Sequence, residues 1–172
     1  MPIELGDSDA AIRRMIAGKP VIVSGDGTSL WTLTRAVDFA VPFVRLFGNA
    51  KALGEDFQIT SDRAFTWDEI TNAIAAGLGV EAKIIHVSTD TLVRYDPAWE
   101  GPLTGDKSWS ALFDNSKVKR VAGAFTCAQD LPTILEESIA NFKARNATAD
   151  QAPDALDPLM DRICKEQTAL GG

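Results

Sequence analysis

The sequence has few of the residues on which metal centres, disulfide frameworks and membrane spans depend. Its 172 residues include two cysteines and one histidine, and no stretch approaches about 18 uninterrupted apolar residues. Cys127 and Cys164 have no CxxC or CxxH neighbour, so we expect reduced, structural thiols. His86 lies in an apolar segment, which favours a core or strand-edge position over a metal ligand. We therefore expect a cytoplasmic protein without a signal peptide or membrane span.

Positive charge is also scarce. Seventeen lysines and arginines stand against 24 aspartates and glutamates, which gives a net charge of −7. The basic clusters are no longer than Arg13-Arg14 or residues 117–120. Such clusters are too small for a surface that follows nucleic-acid phosphates, so we expect no nucleic-acid partner.

The rest of the composition is that of an ordinary folded domain. Hydrophobic residues make up 45% and charged residues 24% of the chain, and the length suits one domain. Helical stripes alternate with short apolar runs, which predicts an α/β fold with a small sheet of about four short strands and about six helices. A sheet this small indicates that part of the apolar surface packs against something outside the chain.

Apolar runs predict four short strands. The turn after the first predicted strand has to be tested as a phosphate-binding loop. The predicted strands are 21–23, 30–34, 57–60 and 82–87, with 109–113 as a further extended segment. Gly25-Asp26-Gly27 follows a strand, but it lacks both the Gly-Lys-Ser/Thr of a Walker loop and the third glycine of a dinucleotide loop. We therefore predict a hairpin turn with Asp-Gly at its tip.

Capping residues predict where the helices begin. Thr66 and Glu69 are expected to form a capping box at the start of one helix. Asp38 is the expected cap of the helix before it in the chain, and Thr89 or Asp90 is the expected cap of a short helix after it. Proline and glycine predict an irregular segment over 97–106. The polar run 145–151 is the one plausible linker, so we divide the chain into 1–147 and a C-terminal helical extension over 148–172.

Four tryptophans are many for a chain with a single tyrosine. Trp67 lies in the capping box and is expected in the core. Trp31, Trp99 and Trp109 fall in loops or at strand edges, where an indole either lines a pocket or packs in the core.

Several short segments occur together in the order seen in a known protein family. They are Lys19-Pro20-Val21-Ile22-Val23 with Gly25-Asp26-Gly27, Asp38-Phe39-Ala40, Phe57-Gln58-Ile59-Thr60-Ser61-Asp62, Thr66-Trp67-Asp68-Glu69-Ile70 and Phe113-Asp114-Asn115-Ser116-Lys117. This order resembles extended short-chain dehydrogenases of the NAD-dependent epimerase/dehydratase family. The resemblance covers about residues 10–145 and is to the carboxy-terminal, substrate-binding half of those proteins.

The resemblance implies a substrate-binding role without a cofactor site in this chain. The family's amino-terminal half carries a glycine fingerprint and a Tyr-x-x-x-Lys pair. Neither is present here, and Tyr95 is followed four residues later by Trp99. We therefore expect NAD(P) only where a separate or missing amino-terminal half supplies its site, and no activity from this chain alone.

The resemblance also names candidate substrate contacts. Family members that act on nucleotide-diphosphate sugars resemble G-D-G-x-x-x-R-D-x-x-H-x-x-D, and Trp31 stands here at the arginine position and Arg35 at the histidine position. An indole cannot make the forked bonds of a guanidinium to phosphate, which favours a less charged sugar or a small carbonyl compound. The candidate substrate-binding residues are Ser29, Trp31, Arg35, Lys107 and Trp109. Trp31 is expected to stack on a ring and Arg35 to neutralise an acidic group.

A second hypothesis remains open beside the first. The chain can be a non-catalytic module that binds a small ligand or a partner through its uncovered apolar surface. We expect self-association in that case, so the expected partners are a second copy of this chain or a protein that supplies the Rossmann half.

Overall fold

The computed structural model describes residues 9–146 and 154–170, and it has an α/β architecture. The elements in chain order are α1 (Ala10–Ile16), β1 (Val21–Ser24), β2 (Leu30–Thr32), α2 (Ala36–Leu46), β3 (Ala64–Thr66), α3 (Trp67–Leu78), β4 (Ile84–Val87), α4 (Thr89–Tyr95), α5 (Glu100–Pro102), α6 (Ser116–Ala122), α7 (Leu131–Asn146) and α8 (Asp157–Leu170). Single 3-10 turns lie at Ala50–Ala52 and Pro97–Trp99, and a π-helical turn lies at Leu103–Lys107. The predicted fold class is therefore confirmed.

The strands form two separate pairs, and each pair is smaller than the predicted sheet. β1 pairs with β4 in parallel, with Val21 opposite Ile84, and β2 pairs with β3 in antiparallel fashion, with Trp31 opposite Phe65. Because β1 and β2 do not pair with each other, the predicted Asp-Gly hairpin is wrong. The turn after β1 instead carries the chain from one sheet to the other.

The parallel pair lies between two hydrophobic cores. Val21 and Val23 of β1 point into a core built with α1, α3 and α7, whereas Ile22 points into a second core built with α4 and α8. This division follows from the alternation of side chains along a strand. All four residues of β1 are buried, as expected for a parallel strand that is covered on both faces.

The capping box at the start of α3 is confirmed. The Thr66 hydroxyl accepts a hydrogen bond from the Glu69 amide at 3.1 Å, and the Glu69 carboxylate accepts one from the Thr66 amide at 2.8 Å. The helix ends at Gly79, which has a left-handed φ of 82°. α3 packs along α7, so Ile70 and Ile74 of α3 share the first core with Ile134, Leu135 and Ile139 of α7.

Two predicted helix caps and one predicted irregular segment are wrong. α2 begins after Arg35 rather than at Asp38, whose carboxylate instead accepts a hydrogen bond from the Ala128 amide at 3.0 Å. Ser88, not Thr89 or Asp90, caps α4. The segment 97–106, predicted to be irregular, forms successive helical turns, and Pro97 stands at the first position of one of them, where no amide is needed.

Residues 57–60 are not a strand, contrary to prediction, and the short strand β3 was not predicted. The Asn115 side chain explains the first difference. Its amide oxygen accepts from the Thr60 amide at 3.1 Å and its amide nitrogen donates to the Thr60 carbonyl at 2.7 Å. A single buried side chain thus provides the hydrogen bonds that a neighbouring strand gives in a sheet.

A buried arginine attaches α8 to the rest of the domain. The Arg14 side chain is 1% exposed, and its Nη1 lies 2.9 Å from an Asp157 carboxylate oxygen and 2.8 Å from one of Asp161. Its Nε donates to the Pro20 carbonyl at 2.9 Å. The division of the chain at residues 147 and 148 falls outside the described residues and stays a prediction.

One side of α2 is apolar and exposed. The rings of Phe39, Phe43 and Phe47 contact in sequence, with centroids 5.1 Å and 5.0 Å apart, and Phe47 is 69% exposed. We call these three residues the α2 aromatic face. Among the described residues, Phe39 and Phe43 remain 38% and 41% exposed, in agreement with the expected uncovered apolar surface.

Both cysteines are free and buried, as expected for structural thiols. Burial raises the pKa of Cys127 and of Cys164 above that of an exposed thiol. Among the described helices, none has the length and apolar character needed to cross a bilayer.

Candidate functional site

The carboxyl ends of β1 and β4 meet at one edge of the parallel pair, where polar side chains collect. The Ser24 hydroxyl at the end of β1 lies 2.9 Å from the Thr89 hydroxyl, and Thr89 lies 2.8 Å from the Ser108 hydroxyl. This row of hydroxyls joins β1, the start of α4 and the segment after the π-helical turn. Ligands of open α/β sheets commonly bind outside the carboxyl ends of such strands.

Two tryptophans stack beside this edge. The ring centroids of Trp31 and Trp67 are 5.3 Å apart with an interplanar angle of 33°. Trp67 is 1% exposed, and its indole N–H donates to the Lys107 carbonyl at 3.3 Å. Trp31 is half-buried, so one part of its ring rests on a fixed core residue while the rest faces outward.

Lys107 and Ser29 complete this arrangement. The Lys107 ammonium lies 5.8 Å from the centre of the Trp31 ring and 3.2 Å from an Asp106 carboxylate oxygen. The Ser29 hydroxyl donates to the Lys107 carbonyl at 3.2 Å. We call Ser29, Trp31, Trp67 and Lys107 the Trp31 cluster. It offers a partly exposed aromatic face with a cation above it, the features that bind a sugar ring or another flat small molecule.

Trp109 lies on the neighbouring segment and faces solvent. It is 67% exposed, and its indole N–H donates to the Thr104 carbonyl at 2.7 Å. The chain after it runs beside β2, where the Ala111 amide donates to the Leu30 carbonyl at 2.8 Å. Trp99, the third tryptophan for which a pocket position was left open, is buried in the second core.

Arg35 lies away from the Trp31 cluster. It directly precedes α2 and lines a cavity of about 380 Å³ whose other wall is α7. The structure therefore brings Ser29, Trp31 and Lys107 together and places Arg35 in a separate cavity. Three residues lie between Trp31 and Arg35, so their Cα atoms are at most roughly 14 Å apart.

A histidine–carboxylate pair lies at the same edge and was missed in the sequence. His86 Nε2 is 2.9 Å and 3.1 Å from the two Asp68 oxygens, and both side chains are partly exposed. The sequence predicted a core or strand-edge position for His86 and did not indicate a carboxylate partner for it. The capping box was the sequence feature that could have indicated this contact, because it places Asp68 in the first turn of α3, directly after a strand.

Gly27 allows this pair to approach the loop after β1. Its φ is +74°, and a Cβ there would lie 2.2 Å from an Asp68 carboxylate oxygen and 2.8 Å from His86 Nε2. In the same loop, hydrogen bonds from the Thr28 hydroxyl and amide hold the pKa of Asp26 below its usual value. The loop is thus held by short-range polar contacts around a position that only glycine fits.

The described residues do not fit a dinucleotide or a metal ion. A dinucleotide site needs a glycine-rich turn that leads from a strand into a helix N-terminus, whereas the Gly25-Asp26-Gly27 turn leads from β1 to β2. Within residues 9–146 and 154–170, no three His, Cys, Asp or Glu side chains are grouped so that they could hold a metal ion.

Comparisons with solved structures relate this fold to sugar-nucleotide enzymes. UDP-glucuronic acid 4-epimerase from Bacillus cereus, solved with UDP-glucuronic acid and NAD, matches with a TM-score of 0.61 and 19% identity, over 79% of this chain and 39% of its own. UDP-glucose 4-epimerase from Thermotoga maritima matches with a TM-score of 0.56 and 19% identity, over 83% and 42%. dTDP-glucose 4,6-dehydratase from Bacillus anthracis matches with a TM-score of 0.56 and 17% identity, over 79% and 38%.

The curated proteins give one shorter match. The chloroplast stem-loop binding protein of 41 kDa b from Arabidopsis thaliana is 35% identical over 74 residues, which are 42% of this chain and 20% of that protein. No family model matches the chain.

These comparisons confirm the resemblance to NAD-dependent epimerases and dehydratases at the level of the fold. The chain spans about two fifths of the length of the solved proteins and one fifth of the curated one. It therefore has the fold of one part of those proteins, in agreement with the expected likeness to their carboxy-terminal half.

Proposed function

We propose that this chain is the substrate-recognition part of a sugar epimerase- or dehydratase-like oxidoreductase. In this proposal the Trp31 cluster holds the substrate, with Trp109 beside it, and a separate dinucleotide-binding part supplies NAD(P). The observation that carries the proposal is the fold match to the Bacillus cereus epimerase, which covers most of this chain but only part of that one. The polar edge next to the Trp31 cluster supports the same position for the ligand.

The charges around Trp31 favour a ligand with little negative charge. Lys107 is the cation of the cluster, and Asp106 lies 3.2 Å from its ammonium and offsets its charge. Arg35 lines a different cavity and does not add to the charge of this site. A nucleotide diphosphate needs forked cationic contacts, so a neutral sugar or a small carbonyl compound suits the cluster better.

The surroundings of Tyr95 support the proposal that the chain has no hydride-transfer activity of its own. The family's acid/base tyrosine depends on a lysine that lowers its pKa. Here the Tyr95 hydroxyl donates to the Glu166 carboxylate, and this contact raises the pKa of Tyr95. Tyr95 is thus suited to holding α4 against α8 rather than to moving a proton at neutral pH.

The proposal places the protein in the cytoplasm without a nucleic-acid partner. Two buried, unpaired thiols suit a reducing compartment. The Arabidopsis relative is named for stem-loop binding, but the net charge of −7 here opposes contact with phosphate backbones, and we do not extend that role to this chain.

Replacing Trp31 with alanine is expected to weaken binding of a neutral hexose by roughly three- to tenfold, because the stacked ring is lost. Binding of D-glucose, D-galactose and UDP-glucose to the purified chain is measured by NMR titration. Phe47→Ala, which removes another exposed aromatic ring far from the cluster, serves as the control and should leave binding unchanged. The chain should neither bind NAD nor turn over a sugar in its presence.

Two results would contradict this proposal. The first is sugar binding that is equal in the Trp31→Ala and Phe47→Ala variants, which would place the ligand elsewhere. The second is tight binding of NAD by the chain alone, which would mean that the cofactor site lies within it.

The exposed aromatic residues of α2 favour a second candidate function, a module that binds through this surface. The α2 aromatic face is flanked by exposed valines at positions 37, 41 and 44, so most of the outer side of the helix is apolar, with Arg45 near its end. Contiguous apolar surface of this kind commonly marks an interaction site. The simplest occupant is a second copy of this chain, and the proposed state is a homodimer or higher oligomer.

Self-association is expected in the micromolar range and should be lost in the double variant Phe43→Ser and Phe47→Ser. Light scattering across a concentration series measures the molar mass. Trp109→Ser, which removes an exposed aromatic residue outside α2, is the matched control and should leave the mass unchanged. A wild-type chain that stays monomeric throughout would remove the support for this second function.

A further inference from the structure

We propose that the cavity between the start of α2 and α7 is a separate binding site for a small organic monoanion, held through its carboxylate by Arg35. This site is distinct from the Trp31 cluster and goes beyond the proposed function. It rests on the free state of the Arg35 guanidinium, on the polar side chains that share its cavity, and on the balance of charge among them.

Arg35 has an unused guanidinium. It is half-buried, yet no hydrogen bond or ion pair engages its side chain in the described part of the molecule. The nearest acidic residue in sequence, Asp38, is used by the Ala128 amide. The five donors of a guanidinium form a fork that fits a carboxylate, so this side chain is free to bind one.

The facing helix α7 supplies polar side chains that also have no hydrogen-bond partner among the described residues. Glu137, Ser138 and Asn141 of α7 line the cavity together with Arg35, and among the described residues none of their side chains has a hydrogen-bond partner. The apolar wall comes from Leu33 and Leu135. A volume of about 380 Å³ lies at the small end of ligand pockets, which suits a molecule of about the size of one sugar ring.

The charges in the cavity select a single negative charge. Arg35 and Glu137 carry opposite charges and both line the cavity, but they do not form an ion pair with each other. A carboxylate can bind Arg35 while a hydroxyl group of the same molecule donates to Glu137. The second negative charge of a dianionic phosphate has no further cation among the lining residues and is repelled by Glu137, so the cavity favours a hydroxylated monocarboxylate over a phosphate ester.

The test is an NMR titration of the full chain with D-glucuronate as the monoanion, glucose 1-phosphate as the dianion, and methyl glucuronate as the neutral ester. Glucuronate should bind in the millimolar range and shift the amides of residues 33–36 and 134–141. The neutral ester should not bind there. Glucose 1-phosphate should bind more weakly than glucuronate.

Three variants identify the groups responsible. Arg35→Met should weaken glucuronate binding by roughly ten- to a hundredfold, because one charge-assisted pair is lost. Glu137→Gln should strengthen binding of glucose 1-phosphate more than that of glucuronate. Arg94→Met, which removes an exposed arginine of α4, is the matched control and should have no effect. Arg35→Met breaks no hydrogen bond or ion pair within the described residues, so the fold, checked by circular dichroism, should be unchanged.

The proposal is overturned if glucuronate shows no saturable shifts at these concentrations, or if Arg35→Met binds it as the wild type does. It is also overturned if the shifts fall on residues 29–31 and 107 instead. That last outcome would leave the proposed sugar site intact, whereas loss of hexose binding in Trp31→Ala bears only on the Trp31 cluster. The two proposals can therefore fail independently.

Discussion

Replacing both Asp157 and Asp161 with alanine is expected to lower the free energy of unfolding by about 3 to 5 kcal/mol. The two carboxylates are the ion-pair partners of Arg14, whose side chain is 1% exposed. Their removal leaves a buried guanidinium with only backbone acceptors among the described residues, the Pro20 carbonyl at 2.9 Å and the Asp157 carbonyl at 3.4 Å. Removing one partner of a buried ion pair lowers the free energy of unfolding more than removing both partners does, since the remaining charge is neither solvated nor paired.

Urea denaturation followed by circular dichroism measures this loss. The control is Glu55→Ala, which breaks an exposed ion pair with Lys117 at 2.9 Å and should cost less than about 1 kcal/mol. Adding Arg14→Met to the double variant should restore part of the stability, because no unpaired charge is then buried. Equal losses in the double variant and in Glu55→Ala would show that Arg14 does not hold α8 in place.

The same pair predicts how stability depends on pH. Hydrogen bonds from Lys19 and Arg14 hold the pKa of Asp161 below its usual value. A carboxyl whose pKa is lower in the folded state stabilises the fold above its unfolded pKa of about 3.9 and loses this effect as the pH falls through the folded value. The wild type should therefore lose stability below about pH 4 more steeply than an Asp161→Asn variant does.

Replacing Trp67 with alanine is expected to cost about 3 to 5 kcal/mol, the range for a large buried aromatic residue. Trp67 is 1% exposed and packs in the core with Ile70 and Ile74. The indole also touches the Trp31 ring and donates to the Lys107 carbonyl at 3.3 Å, so its loss should disturb the Trp31 cluster as well. Urea denaturation followed by far-ultraviolet circular dichroism measures the change, since the fluorescence of four tryptophans would be difficult to separate.

Two further variants separate packing from the hydrogen bond. Trp67→Phe keeps an aromatic ring but loses the N–H donor, and we expect a cost of about 1 to 2 kcal/mol together with weaker sugar binding. Trp109→Ala removes an indole that is 67% exposed and should cost less than about 1 kcal/mol. If Trp67→Ala and Trp109→Ala were equally stable, the position of Trp67 in the core would be wrong.

Local signals predicted the elements that depend on local chemistry. The capping box at Thr66 is satisfied by residues three apart, and β1 is a run of β-branched residues that suits only a buried strand. Asp38 failed as a cap because a capping residue type says nothing about competing partners, and the Ala128 amide, far along the chain, uses that carboxylate. Residues 57–60 failed for the same reason, since Asn115 takes the place of a neighbouring strand.

The candidate site was predictable only in part. The family pattern pointed to Ser29, Trp31 and Lys107, and the structure brings them together, because the Lys107 carbonyl accepts from the Ser29 hydroxyl and from the Trp67 indole. Nothing in the linear pattern assigns Arg35 and Trp31 to different sites, because the cavity that Arg35 lines is formed by α7, which lies far along the chain. The contact between His86 and Asp68 likewise depends on Gly27, whose missing side chain is visible only in three dimensions.

β1 has a consequence for how the sequence can change. Val23 packs in the core on one side of the parallel strand pair, and Ile22 packs in the core on the other side. Deleting one residue from this strand would move each later side chain of the strand to the opposite face of the sheet. The packing of both cores would then be disrupted. Exchanges among Val, Ile and Leu should be accepted there, whereas any insertion or deletion should not. A library of length variants would therefore find β1 to be the least tolerant segment of the chain.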